Sequence, residues 1–272
     1  MRKSSRFGKT YIGLVMAFLY APVFVMMIFS FNSSKSRSLW TGFTLEWYQK
    51  LFTNEKILAS LANTLVIAMI SAVIATVIGT LAAVGINGMH KRIKNIIMNI
   101  TYLPIINPEI VTGVSLMLLF VFIRDKVGLP LEMGLTTLVL AHVTFSIPYV
   151  VLNVMPKLRQ MDKYIYDAAL DLGCSPAQAF MKVVIPEITP GIMSGFLMAF
   201  TFSLDDFIIS YFVSGPAFQT LPIEIYSMAR KKVSPQINAL STILFLVVMS
   251  VLIISNYLEY RKESHNRKES IQ

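Results

Sequence analysis

The sequence predicts an all-α integral membrane protein with six transmembrane helices and both termini on the cytoplasmic side. Three observations carry this. Apolar residues make up 55% of the 272-residue chain and charged residues only 14%, where soluble domains carry roughly 45–50% and about 25%. The apolar residues gather into six runs, Tyr11–Phe31, Leu61–Ile86, Ile97–Ile123, Gly134–Met155, Ile188–Phe212 and Asn238–Leu258, each long enough for the roughly 20 residues that cross a bilayer core. All 24 Lys and Arg lie outside those runs. The net charge of +9 is thus dispersed between spans, not gathered into a nucleic-acid-binding patch. The single cysteine, Cys174, excludes a disulfide framework and a Cys-rich metal site.

Three segments follow in order. Residues 1–60 hold a basic tail, the first span and an extracytoplasmic loop. Residues 61–258 hold five spans and a long inner loop at 156–187. Residues 259–272 form a cytoplasmic tail. The first run follows Arg2, Lys3 and Arg6, but it is too long for a signal-peptide core and no A-x-A-like site follows it, so it reads as a retained helix. With the N-terminus inside, the inner segments carry 15 cations against nine in outer segments of nearly equal length. That is the sign expected of cytoplasmic loops, and His90-Lys91-Arg92-Ile93-Lys94 is its strongest local part. In the first outer loop, Phe43, Trp47 and Leu51 recur at i, i+4 and i+8. They predict one face of a short helix, either lying on the outer membrane surface, where Trp is favoured, or simply packed within the loop.

The third run contains Pro104 and Pro108. Each removes a backbone donor and clashes with the preceding turn, so the helix should break mid-span. Broken helices are tolerated in membranes where they line a cavity, and transport sites form there. In the fourth run, His142 reads as a lone neutral histidine bonded to a neighbouring helix. The long inner loop should fold into two short helices on the cytoplasmic face. Ala-rich sequence around Ala168 and Ala169 favours the first, and Gly173 suits its C-terminal turn. Ser175 and Pro176 suit an N-cap and first position of the second, which should stop before Pro186.

Twelve of the 15 acids lie in loops, but Glu109, Asp205 and Asp206 lie in spans. Each intramembrane charge costs roughly 2.5–3.5 kcal/mol on insertion scales, and no Lys or Arg in the spans offsets it. Either these acids are protonated, or they face water, or a cation visits them. At about 1.5 Å per residue, a straight third helix puts Glu109 roughly 19 Å along its span, and Asp205 roughly 26 Å along the fifth. Neighbouring helical residues point about 100° apart, so a regular helix cannot aim Asp205 and Asp206 at one path. The other reading for that pair is an N-cap on a half-helix starting near Phe207. Tyr102, Tyr149, Phe207, Tyr211 and Phe212 suit either cation–π contact with an amine or plain packing.

A resemblance appears in the inner loop. Asp167-Ala168-Ala169, Gly173, and then Val183-Val184-Ile185-Pro186 resemble the EAA loop of ABC importer permeases, with Asp in place of the first Glu, Val in place of Ile, and Ile in place of Leu. Phe31-Asn32-Ser33-Ser34, Gly42-Phe43-Thr44, Ser203-Leu204-Asp205-Asp206-Phe207, Ser214-Gly215-Pro216, Thr220-Leu221-Pro222 and Ser234-Pro235-Gln236-Ile237-Asn238 are similar to PotC-type spermidine/putrescine permease subunits, and the likeness covers about residues 10–256. The resemblance implies a type I ABC importer core in a bacterial inner membrane. It implies a coupling helix, with Asp167, Ala168, Ala169, Gly173 and Pro186, that docks on an ATP-binding subunit. It implies a pathway for polyamine past Glu109, Asp205, Asp206 and Tyr211. The implied partners are two copies of the ATP-binding subunit, a second homologous permease and an extracytoplasmic polyamine-binding protein. ATP and Mg would sit on the partner subunit, with no cofactor in this chain. Gly8-Lys9-Thr10 ends like a phosphate-binding loop, but position 3 is Lys and not Gly, so the chain itself should not hydrolyse ATP. The alternatives are an ABC permease for another solute, a proton-coupled secondary cation transporter, and a structural or signalling membrane protein.

Overall fold

The computed structural model describes residues 6–34, 39–162, 164–216, 218–231, 235–247, 249–250 and 253. It is helical almost throughout, with one isolated bridge between Asn32 and Phe43. The chain divides into two compact units, residues 58–224 and a second made of residues 1–57 with 225–272.

The smaller unit begins with α1 (Arg6–Phe29) and α2 (Glu46–Phe52). Between them the chain folds around the side chain of Asn32, which is 1% exposed. Its amide donates to the Leu39 carbonyl at 2.7 Å and its oxygen accepts from Thr41 N at 3.0 Å. Trp47 then donates from its indole to the Asn32 carbonyl at 2.7 Å. Trp47 and Leu51 are buried on one face of α2, but Phe43 is exposed and precedes the helix. The expected three-residue stripe is therefore two residues long. Phe43 stacks instead on Phe31, with ring centroids 5.4 Å apart, because the bridge to Asn32 holds it in extended backbone. A short apolar helix, α12 (Pro235–Val247), belongs to the same unit, and the rest of the sixth expected run lies largely outside the described residues.

The larger unit takes up most of α3 (Glu55–Gly88), then α4 (Lys91–Ile106), α5 (Glu109–Phe122), α6 (Leu135–Gln160), α7 (Tyr164–Asp171), α8 (Pro176–Ala179), α9 (Ile185–Asp205), α10 (Ile208–Val213) and the start of α11 (Leu221–Lys231). Its core is a seam between α6 and α9. Gly191, Gly195 and Ala199 recur every fourth residue along α9 and are buried. A Cβ on Gly191 would fall 2.8 Å from the Asn153 carbonyl, and one on Gly195 would fall 3.1 Å from Val150 Cα. Where lipid replaces water there is little hydrophobic drive between helices, so small residues that bring backbones close supply the packing. On the other side of Val150, α3 contributes Gly79 and the buried Ala72, Ala75 and Ala83.

Among the described residues, four helices are long and apolar enough to cross a bilayer: Gly8–Phe29, Glu55–Gly88, Leu135–Gln160 and Pro176–Asp205. The third expected run is not one straight helix. Helices α4 and α5 meet at 101°, so the straight-helix depth for Glu109 does not apply. The fifth begins earlier than expected. Its helix runs without interruption from Pro176 through Pro186 and Pro190 to Asp205, so the inner loop does not form a second separate helix ending before Pro186. A π-helical turn at Phe180–Val184 precedes Pro186. It shifts the hydrogen-bond register where the missing proline N–H and the ring clash would otherwise stop the helix.

Candidate functional site: two breaks in the spans

The α4–α5 break follows from Asn107 and Pro108. The proline ring disfavours helical backbone at the residue before it. Asn107 is extended at ψ 137° and Pro108 follows at ψ 130°. Pro104 is accommodated inside α4, and the chain turns at Asn107-Pro108. Glu109 opens α5, where a carboxylate favours the positive end of the helix dipole. Glu109 is exposed. A cleft of about 660 Å³ lies at the break, lined by Leu103, Asn107, Pro108, Thr112, Ser115 and Phe145 among others. A long side-chain hydrogen bond crosses the turn, Asn107 Nδ2 donating to Thr112 Oγ1 at 3.4 Å.

The α9–α10 break lies at Asp206-Phe207, between two short serine-bearing stretches. The two adjacent acids have different surroundings. Asp205 is the last residue of α9 and is exposed. The Asp206 side chain is 5% exposed, and its oxygens accept from Ile209 N at 3.3 Å and Ser210 N at 2.7 Å. Asp206 thus caps α10, the role weighed from the sequence for a half-helix near Phe207. His142, 1% exposed on α6, lies 3.4 Å from Asp206 Oδ2. As its isolation in an apolar span suggested, it bonds neighbouring helices: Nδ1 pairs with Ser203 Oγ at 2.5 Å and Nε2 with Ser210 Oγ at 2.9 Å. Tyr211 is 48% exposed on α10, with Phe207 and Phe212 at ring distances of 5.5 and 5.7 Å.

The two breaks share a wall. Gly113 on α5 sits against α10, and a Cβ there would fall 3.0 Å from Phe212 and 3.3 Å from Ile209 Cα. An aromatic line on α6 continues from His142 to Phe145 and Tyr149, and Tyr149 meets Phe202 of α9 at 4.5 Å. Phe202 was not singled out from the sequence, and Ser203 only as the first residue of the motif before the two acids. Their spacing before Asp205 and Asp206 was visible, but their partners on α6 are 53 and 61 residues away along the chain.

The inner loop forms a separate surface. Helix α7 presents Asp167 and Ala168 outward and buries Ala169. Gly173 takes φ +85°, a left-handed turn that only glycine adopts without strain. Ser175 caps α8 reciprocally with Gln178 at 3.3 and 3.0 Å, a capping box. Tyr164 and Leu172 are 77% and 87% exposed, and Pro186 is exposed two residues beyond the π-helical stretch.

A profile of the family described as "Binding-protein-dependent transport system inner membrane component" matches residues 75–263. The chain belongs to that family. The permease is 40% identical over 254 residues, 93% of this chain and 90% of the relative, to the putrescine transport system permease protein PotI of Escherichia coli K12. It is 36% identical over 250 residues, 92% of each chain, to the spermidine/putrescine transport system permease protein PotC of the same strain. Among solved structures, a bacterial ABC transporter that imports alginate contains a chain with TM-score 0.70, 16% identity and 93% coverage of both chains. That likeness shows the fold. The permease is therefore an inner-membrane subunit of an ABC importer.

Proposed function

We propose that the permease forms the membrane pathway of an ATP-driven polyamine importer. The observation that carries this is the pair of exposed carboxylates at the breaks. Glu109 and Asp205 stand in apolar helices whose expected spans contain no Lys or Arg. An intramembrane carboxylate is expensive unless it meets water or a cation, and a polyamine is a flexible chain of cations. The names of the two E. coli relatives support the same substrate class. A path lined by anionic ends and by aromatic faces such as Tyr211 and Tyr149 attracts an amine by charge and by cation–π contact. Several moderate sites suit a polycation, since the last site must also release it. Asp206 contributes by holding the break that presents Asp205. An anion pathway would favour Arg or Lys in the spans.

In this reading the chain crosses the membrane six times with both termini in the cytoplasm, and its core runs from residue 61 to 258. The loop at 156–187 docks on the ATP-binding subunit through the exposed Asp167 and Ala168, the turn at Gly173 and the helix through Pro186. Two copies of that subunit carry ATP and Mg. A second homologous permease completes the pathway, and an extracytoplasmic binding protein delivers polyamine. Closure of the ATPase pair moves α7 and α8, and the continuous helix from Pro176 to Asp205 carries the movement to the break.

The test is uptake of radiolabelled putrescine and spermidine by the assembled transporter. Asp205→Asn and Glu109→Gln should each lower uptake at least tenfold with the complex intact, and unimpaired uptake in both would overturn the polyamine pathway. Asp167→Lys should weaken co-purification with the ATP-binding subunit and leave the permease fold unchanged. If co-purification and ATP-driven uptake both persist, the docking surface lies elsewhere.

A further inference from the structure

A carboxylate removed from water needs donors or a counter-charge, and leaving either partner of a buried pair alone is costly. Asp206 has two backbone donors at the start of α10 and, 3.4 Å from Oδ2, the Nε2 of His142. His142 reaches both sides of the same break. Ser203, at 2.5 Å from Nδ1, belongs to α9 before it, and Ser210, at 2.9 Å from Nε2, belongs to α10 after it. The imidazole sits on α6, whose seam with α9 is fixed by the close approaches at Gly191 and Gly195. All four side chains are 9% exposed or less. Asp205, one residue away, is exposed.

We infer that His142 is a positioning residue for transport: by joining Ser203 and Ser210 across the α9–α10 break and facing Asp206, it commits Asp206 to the buried cap and leaves Asp205 as the acid presented to the cation. Two adjacent acids are thereby given separate tasks. Nδ1 pairs with Ser203 and Nε2 with Ser210, and Nε2 also faces Asp206 Oδ2. Removing the imidazole frees the break to rotate and lets Asp206 compete for the cation.

This rests on the proposed role of Asp205, and the experiment separates the two. In proteoliposomes with the full transporter and saturating putrescine-loaded binding protein, uptake and ATP hydrolysis are measured together. His142→Asn, which keeps a donor near the Nδ1 position and loses the reach to Asp206, should lower uptake about tenfold with ATP hydrolysis within about twofold of wild type. His142→Gln, which reaches the Nε2 position, should recover at least half of the uptake. A purely structural role would lower both rates together, and that result would overturn the inference. In an Asp205→Asn background, His142→Asn should add less than about twofold, since both act through the same acid; independent, multiplying effects would also overturn it. If His142→Asn fails to assemble, Ser210→Ala removes one bond at Nε2 and should shift the uptake-to-hydrolysis ratio in the same direction by about threefold; an unchanged ratio refutes the positioning role. If Asp205→Asn alone leaves uptake intact, the pathway reading fails, whatever His142 does.

Discussion

Two spans of this permease are interrupted, and they are interrupted in opposite ways. The α4–α5 break is made by a proline, Pro108. Its backbone turns through extended Asn107 and Pro108, its acid is exposed, and a cleft of about 660 Å³ opens beside it. The α9–α10 break is made by an aspartate. Asp206 caps the new helix from inside, and His142, Ser203 and Ser210 close around it. A proline break only removes bonds and leaves the surroundings to satisfy what was freed. An aspartate break supplies the missing acceptors itself, so it can be buried. The first kind leaves room for a passing solute, and the second fixes where a neighbouring residue points.

Substitutions can break that contrast. The largest effect on stability is expected at the closed break. His142→Leu should cost about 3–5 kcal/mol by leaving Asp206 buried without its partner, whereas Glu109→Leu at the open break should stay within about 0.5 kcal/mol. Thermal unfolding in detergent compares the two, and equal losses would remove the distinction. Next comes the wall between the breaks. Gly113→Leu forces a side chain against Phe212 and Ile209 and should cost about 1–3 kcal/mol, read in the same assay. Pro108→Ala should act on geometry more than on stability. It releases Asn107 from the constraint that keeps it extended, so the distance between spin labels on α4 and α5 should broaden toward longer values than the 101° bend allows. The smallest effect is expected at Lys94, near the start of α4. Burial first and the Arg159 charge second lower its pKa from 10.5. Just below that value the unfolded chain binds more protons, so the Lys94 contribution to stability rises with pH there. Lys94 is largely solvated, and Lys94→Gln should leave stability within about 0.5 kcal/mol and flatten that rise.

Much of the fold was legible in composition and spacing, because a bilayer admits few solutions. Runs of about 20 apolar residues without cations must be helices that satisfy their own backbone. Ser175 with Pro176, and Gly173 two residues earlier, marked a cap and a turn whose chemistry is local. Pro108 marked the interruption for the same reason, whereas Pro104, expected to share in it, stays inside α4. What was not legible involves register and neighbours. The continuation of α9 through Pro186 depends on a π-helical turn, which no single residue signals. The extended placement of Phe43 depends on a bridge to Asn32.

The sequence by itself determined that acids stand in apolar helices without Lys or Arg, that one of those helices must break near Pro108, and that an EAA-like loop interrupts the later spans. Periodicity, proline chemistry and the cost of charge in hydrocarbon are properties of short segments, and they can be read from short segments. Only the tertiary structure decided that Asp205 is exposed and Asp206 buried. Chemically the two residues are identical. What separates them is a histidine 64 positions earlier in the chain, and packing of α6 against α9 is what brings it there.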